Sequence, residues 1–341
     1  MLRLGVIGAG WFVSRRHLPD AARCDDVQVA ALCRRDLAPL RRVRDALAPE
    51  AALHRDWREM LDAGGLDAVL IATPHALHYE QASEALERGL HVLLEKPMAI
   101  TSAEAHALAA SAASRGLTLA VALNPPHWAH CHRMRALVRE GALGEVESVS
   151  MLWTGNADYV FGDAPAPRGL PGVVPPTMYR ADPSLCGGGY LMDGGPHLVS
   201  EVLWVTGQRA VEVACQMDST PRDRRATVSL RLAAGALATI SSVGNSRFGD
   251  RRVLNVFAGS AGTLRVEGFD FRVRCERAGA PVEEFTEAGL PAVAGPLRNF
   301  VDATLYGAEL HSPAAHGVHV TEVLEAAYLS ASEGRAVRLR T

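Results

Sequence analysis

Short apolar runs alternate with stretches of helical periodicity through the first 124 residues, and no other feature limits the fold of this chain so sharply. The runs are Leu4 to Ile7, Val27 to Leu32, Ala68 to Ala72, His91 to Leu94 and Thr118 to Leu123. Between them, a helix is read at about Arg15 to Ala22, and Pro39 to Ala48 and Tyr79 to Arg88 carry apolar residues at helical spacing and end near Gly or Pro. A strand followed by a crossover helix returns parallel to its predecessor, with helices covering the sheet. The spacing therefore predicts an α/β domain over residues 1–124, a parallel sheet wound with helices.

Beyond residue 124 the pattern changes. After a helix predicted from Ala129 to Glu140, strands follow one another almost without helices: Val146 to Trp153, Val211 to Met217, Thr227 to Leu232, Leu237 to Val243, Val253 to Phe257, Thr263 to Glu267 and Phe271 to Glu276. Turns at Ala233-Ala234-Gly235 and Gly259-Ser260-Ala261-Gly262 read as antiparallel hairpins. Residues 125–341 thus read as an α+β domain on a mostly antiparallel open sheet. Its helices are predicted at His197 to Val205, closed by Gly207, and at Val318 to Ser330, the latter free to pack back on the first domain. Thr154 to Gly189, with Pro165, Pro167, Pro171, Pro175, Pro176 and Pro183, resists regular structure and reads as a lid on the substrate side.

Composition removes several classes of function. A net charge of -3 offers no basic field for nucleic acid, and the arginines are scattered among acidic residues. No apolar run reaches the roughly 20 residues that a membrane helix needs, and Met1 leads straight into a strand, so no membrane association and a cytoplasmic location are expected. Six cysteines at wide spacings without Cys-x-x-Cys argue against a disulfide framework or a zinc site, and no metal is expected.

Gly8-Ala9-Gly10-Trp11-Phe12-Val13 follows the first run and leads into the first helix. Two glycines allow a tight turn and let backbone N–H groups approach a pyrophosphate, with the positive end of the helix dipole behind them. Val13 holds the third position, where Gly or Ala is usual, and its larger side chain is expected to push the helix off the strand. Arg34 stands near where an acidic residue would accept from an NAD ribose. Arg34 and Arg35 suit the 2′-phosphate of NADP, which is expected over NAD, while Asp36 turned inward would restore NAD binding. Thr73, Pro74, His78 and Glu95 at later strand ends, with Asn124, extend the candidate cofactor set begun by Gly8, Gly10, Trp11 and Phe12.

Lys96 is the only lysine among 35 basic residues, and it lies at the carboxyl end of a predicted parallel strand in Glu95-Lys96-Pro97. An ammonium can hydrogen-bond a reacting oxygen as a compact point charge, which a guanidinium fork does not reproduce. Farther on, Asp193 and His197 in Gly187-Gly188-Gly189-Tyr190-Leu191-Met192-Asp193-Gly194-Gly195-Pro196-His197 are four apart. A helix beginning near Asp193, with Pro196 in its first turn, puts both on one face. A carboxylate there orients the imidazole and raises its basicity, which suits a general acid/base. Lys96, Asp193 and His197 are the catalytic candidates, and Tyr179 and Arg180 join them as substrate-binding candidates.

These pieces in this order resemble the Gfo/Idh/MocA oxidoreductase family over essentially the whole chain. The likeness rests on the Gly8 fingerprint, Ala72-Thr73-Pro74, Glu95-Lys96-Pro97, Gly141-Ala142-Leu143-Gly144, Gly187 to His197, Gly262-Thr263-Leu264 and Glu325-Ala326-Ala327-Tyr328. The resemblance implies a nicotinamide enzyme that oxidises a secondary alcohol of a sugar or cyclitol, or reduces the ketone, with Lys96, Asp193 and His197 at the reacting centre. A redox-neutral lyase or glycoside-cleaving enzyme, using transient oxidation by a resident cofactor, employs the same residues. Two positions depart from the family pattern on the substrate side: Ser200 replaces a frequent Asp, and Asn124-Pro125-Pro126-His127-Trp128 replaces an Asn-Arg-Arg-like segment. An exposed antiparallel sheet face would favour a homo-dimer or homo-tetramer.

Overall fold

The computed structural model describes residues 1–165, 173–248, 252–268 and 270–340, and they divide into two units. The division is not a single cut in the sequence. Unit 1 comprises Met1–Ala122, Tyr159–Cys186 and Ala294–Val318, and unit 2 comprises Leu123–Asp158, Gly187–Val293 and His319–Thr341.

Unit 1 is built on six parallel strands, β1 (Leu2–Ile7), β2 (Val27–Cys33), β3 (Ala52–His54), β4 (Ala68–Ile71), β5 (His91–Leu94) and β6 (Leu119–Val121), in the order β3-β2-β1-β4-β5-β6. Every pairing between these six strands is parallel. The order reverses between β1 and β4, the point at which doubly wound sheets open a crevice at their carboxyl ends. Leu4, Val6, Leu32, Leu70 and Leu93 form the core with Phe300 and Val301 of the Pro296–Tyr306 helix. That helix, distant in sequence, is anchored where Arg298 makes two bonds to Asp26, at 2.6 and 2.8 Å. β3 escaped the sequence reading because Ala52-Leu53-His54 has no β-branched residue and pairs only with β2.

The helix expected from Arg15 to Ala22 opens differently. Val13–His17 is wound as a π-turn, closed by a bond from Leu18 N–H to the Val13 carbonyl, and continues as an α-helix over Leu18–Ala21. Val13 is itself buried in the core, so the extra width of the turn accommodates the β-branched side chain that the glycine position would have spared.

The proline-rich stretch is less irregular than expected. It carries helices at Asp158–Phe161 and Pro183–Cys186 and a tight turn at Tyr179–Ala181, while Pro167 and Pro171 lie outside the described residues.

Unit 2 is built on nine strands, β7 (Val146–Thr154), β8 (Ala210–Met217), β9 (Arg225–Leu232), β10 (Leu237–Val243), β11 (Arg252–Gly259), β12 (Gly262–Glu267), β13 (Arg272–Arg277), β14 (Glu283–Phe285) and β15 (Val337–Arg338). Their order is β14-β13-β12-β11-β7-β10-β9-β8-β15. The β7/β10 pair is parallel and the other described pairs are antiparallel. Alternate residues of β9 point in and out, with Ala226, Val228, Leu230 and Leu232 buried, as a one-sided sheet requires. A helix over Tyr190–Thr206, buried along most of its length, packs on this sheet and ends at Gly207, whose φ of 67° is the left-handed cap.

Candidate active site

In unit 1 the glycine turn sits at the carboxyl end of β1. Gly8 has φ of +90°, and a Cβ there would lie 2.6 Å from the Ala72 carbonyl oxygen and 2.8 Å from the Thr73 methyl. Only glycine lets the two strand ends at the switch point come this close. Gly10 is half-buried, and a Cβ on it would meet Arg34 Nη1 at 3.3 Å. Arg34 thus lies over the turn, with Nη1 3.4 Å from the Ala9 carbonyl oxygen. Its Nε is buried without a partner, and burial lowers its pKa. These groups fit a dinucleotide: two glycines without side chains, a helix start, and a cation over the turn.

Asp36 is committed elsewhere, because its carboxylate caps the Leu37–Leu47 helix by accepting from Ala38 N–H at 3.1 Å. Arg35 is exposed. Trp11 and Phe12 are half-buried, Trp11 set edge-on to Tyr159 and Phe12 edge-on to His17.

The loops after β4 and β5 are tied together by His78, fully buried, whose Nδ1 faces the Pro97 carbonyl at 2.8 Å and whose Nε2 faces the Thr73 carbonyl at 3.0 Å. Burial lowers the pKa of this imidazole. A neutral ring donates to one of the two carbonyls at a time, so His78 braces the backbone on either side of the sheet opening. Thr73 Oγ1 donates to Gln81 Oε1 at 2.6 Å. Lys96 follows β5 and is half-buried. Glu95, beside it, accepts the Lys96 backbone N–H on Oε2 at 3.2 Å and faces His17 Nε2 with Oε1 at 2.7 Å.

Tyr179 and Arg180 also belong to unit 1, where Arg180 stacks over the Tyr179 ring with its guanidinium carbon 4.5 Å from the centroid. The Tyr179 hydroxyl is 3.1 Å from Nε2 of His75, a buried ring whose Nδ1 faces the Cys186 carbonyl at 2.8 Å. His75, directly after Pro74, was not foreseen; it ties the Tyr179–Cys186 segment to the loop after β4.

In unit 2, Asp193 and His197 share the Tyr190–Thr206 helix, half-buried and one turn apart. The helix begins at Tyr190, three residues before Asp193 and seven before the His197 start read from the sequence, so Pro196 lies within it and not in the first turn. The reason is remote in sequence. Gly189 N–H is bonded to Asp223 Oδ1 at 3.1 Å and to the Tyr328 hydroxyl at 2.9 Å, and Tyr190 N–H to the Asp223 carbonyl at 2.9 Å. Leu191 N–H meets Asp223 Oδ2 at 2.7 Å, and Met192 N–H meets the Tyr328 hydroxyl at 3.1 Å.

Two residues therefore serve every amide that a helix start leaves open, which a local N-cap cannot do. The Tyr328 hydroxyl in turn donates to Asp223 Oδ1 at 2.5 Å. Burial raises the pKa of both Asp223 and Tyr328. Gly188 and Gly189 make room for this arrangement, since a Cβ would lie 2.4 Å from the Tyr328 oxygen or 2.2 Å from the Asp223 carbonyl. The tyrosine stood in the closing motif without an assigned part, and nothing in the sequence singled out Asp223.

Asn124, grouped with the cofactor candidates, falls in unit 2, where its backbone N–H donates to His197 Nδ1 at 3.3 Å. With Nδ1 accepting, the neutral imidazole carries its own proton on Nε2.

Among the described residues no group of three His, Cys, Asp or Glu side chains is arranged to hold a metal ion. None of the described helices is long and apolar enough to cross a membrane.

Comparison with known proteins agrees with the fold. Residues 2–123 match the oxidoreductase family model with an NAD-binding Rossmann fold, and residues 131–265 match the GFO/IDH/MocA C-terminal domain. The dTDP-3,4-didehydro-2,6-dideoxy-alpha-D-glucose 3-reductase of Streptomyces antibioticus is 34% identical over 60% of this chain and 57% of its own length. The chain thus aligns with little more than half of that relative. The scyllo-inositol 2-dehydrogenase (NADP(+)) IolW of Bacillus subtilis (strain 168) is 24% identical over 99% of this chain and 96% of its own. The crystal structure of an oxidoreductase domain protein from Kribbella flavida superposes with a TM-score of 0.86 at 24% identity, covering 100% of this chain and 99% of that one. With a nucleotide-binding domain and a C-terminal domain matched in order, the chain belongs to the GFO/IDH/MocA family.

Proposed function

We propose that this protein transfers hydride between a nicotinamide dinucleotide and a secondary alcohol or ketone of a sugar, sugar derivative or cyclitol. The observation that carries the reading is Lys96, the one lysine of the chain, at the carboxyl end of β5 in a sheet whose switch point holds a glycine turn under Arg34. The relatives named above act on a dideoxyhexose and an inositol, which supports the substrate class.

Gly8, Gly10, Trp11, Phe12, Arg34 and Thr73 would hold the dinucleotide, which when bound supplies the hydride acceptor or donor. NADP is favoured over NAD: Arg34 follows β2 with its guanidinium over the glycine turn, a cation suited to the 2′-phosphate, and the Asp36 carboxylate that would serve an NAD ribose caps a helix instead. Lys96 hydrogen-bonds the reacting oxygen and stabilises charge developing on it. His197, one turn beyond Asp193, exchanges a proton with that oxygen. Asn124 N–H, donating to Nδ1, fixes the ring so that Nε2 is the nitrogen left to exchange that proton. Tyr179 and Arg180 bind the remainder of the substrate.

The outer face of the unit 2 sheet exposes Ser150, Thr227, Ser229, Leu237 and Thr239, short side chains that let a second copy of the chain approach closely. A homo-dimer or homo-tetramer is the expected state, and light scattering on the purified protein reads it directly.

A panel of sugars, cyclitols and keto-sugars, assayed with NADP and NAD in parallel by nicotinamide absorbance, tests the reaction. Lys96→Met should lower turnover by about 10³-fold or more while dinucleotide affinity stays within about tenfold. Near-normal turnover of that variant ends the proposal.

A further inference from the structure

The His17–Glu95 pair is costly where it stands. His17 is 2% exposed and Glu95 8%, and His17 sits between Val13 and Leu18 of the unit 1 core. Taking an imidazole and a carboxylate out of water carries a desolvation penalty, and an apolar pair of similar volume at such a place is often equally or more stabilising. Stability alone therefore gives no reason to keep it.

The geometry supplies another reason. His17 Nε2 is 2.7 Å from Glu95 Oε1, while Nδ1 is buried with no hydrogen-bond partner. Nε2 is the ring nitrogen that faces the carboxylate, and it donates to Glu95 Oε1. The second carboxylate oxygen, Oε2, accepts the backbone N–H of Lys96 at 3.2 Å. Glu95 is thus held at one oxygen by His17 and holds Lys96 with the other. The ring of Phe12 lies edge-on to His17 with centroids 5.3 Å apart and restricts the imidazole from a further side.

We infer that His17 is a positioning residue for Lys96, acting through the Glu95 carboxylate, which fixes the Lys96 backbone from which the ammonium side chain departs. The inference rests on the role proposed above for Lys96, and its test separates the two. Because Lys96 is the only lysine, protein grown with lysine labelled with carbon-13 at Cε gives a single side-chain resonance, readable without substrate or cofactor.

At fixed pH and temperature, His17→Leu should shift or broaden that resonance, whereas His17→Gln, which keeps a side-chain N–H donor, should leave it near the wild-type position. Thermal denaturation should show His17→Leu folded at the assay temperature but with a lowered Tm, because Glu95 loses a buried partner, and NADP affinity, read by tryptophan fluorescence, should stay within about threefold. Turnover on an active panel substrate should fall about 10²-fold in kcat with KM little changed, the scale for misplacing a catalytic group by an ångström. An unmoved lysine resonance in His17→Leu overturns the inference whatever Lys96→Met does. A moved resonance together with an active Lys96→Met upholds the positioning and removes the catalytic reading instead. A variant too unstable to purify shows the pair to be structural and overturns it as well.

Discussion

Tyr328→Phe tests whether the helix carrying Asp193 and His197 is held from outside. The ring stays and only the hydroxyl goes. That hydroxyl accepts from Gly189 and Met192 N–H at 2.9 and 3.1 Å and donates to Asp223 Oδ1 at 2.5 Å. Gly189 N–H keeps Asp223 Oδ1 at 3.1 Å, so the donor left stranded is Met192 N–H. A stranded buried donor costs about 1–3 kcal/mol, and the lost bond to a buried carboxylate about 1.5–3 kcal/mol. After relaxation we expect a loss of about 3 kcal/mol, or about 6–12 °C in Tm for a unit of this size.

The pH dependence has a definite sign. Burial raises the pKa of Asp223 above its ordinary 3.8, so stability is fully present below that value and falls as pH rises through the folded-state value. The Tyr328 hydroxyl opposes the rise by bonding the charged form, so the deficit of the variant should widen with pH above the ordinary carboxylate range. Calorimetry across that range reads both quantities. A Tm within about 2 °C of the wild type at neutral pH, or a deficit that narrows as pH rises, refutes the reasoning.

Other substitutions probe the remaining parts of the site. Arg34→Glu should weaken NADP binding by about 10–100-fold, the loss of one or two charge-assisted bonds, and improve NAD relative to it; unchanged NADP affinity in fluorescence titration counts against the assignment. Gly8→Ala combines a φ of +90° with a Cβ 2.6 Å from the Ala72 oxygen, so it should cost about 2 kcal/mol or more in thermal stability and lose dinucleotide binding in the same titration. The side-chain bond from Arg298 holds Asp26 at about 2, below its ordinary 3.8. Its contribution is therefore complete above about pH 4 and is lost as pH falls through about 2, and Asp26→Asn should flatten acid unfolding in that window. Partial exposure keeps the effect to about 1 kcal/mol.

What the sequence made legible followed periodicity and backbone demands. Buried parallel strands read as apolar runs, one-sided strands such as β9 as alternation, and Gly8 as a turn that only glycine can make. The parts that stayed hidden are those fixed by partners far along the chain. The Tyr190–Thr206 helix starts where Asp223 and Tyr328 meet its amides, and a window centred on Asp193 contains neither. Unit 1 likewise takes up Tyr159–Cys186 and Ala294–Val318 through contacts such as Arg298 to Asp26, which no local pattern announces. His75 and His17 looked like unremarked histidines because their meaning lies in what they face, a carbonyl and a carboxylate.

Val13 connects the imperfect fingerprint to the lysine. A glycine at that position lets a helix approach its strand closely, and a valine displaces the helix unless the backbone changes its winding. Here the backbone takes one more residue into the turn, from the Val13 carbonyl to Leu18 N–H, so side chains leave this turn in directions that an α-helix would not give them. His17 is the last residue of that turn, and it is the residue that reaches Glu95. A wider first turn and a buried histidine are then one local solution: Val13 fills the core, the winding absorbs its bulk, and the same winding delivers the imidazole to the carboxylate beside Lys96. Departure from the glycine pattern at the nucleotide turn thus has a counterpart one strand away, at the only ammonium side chain in the chain.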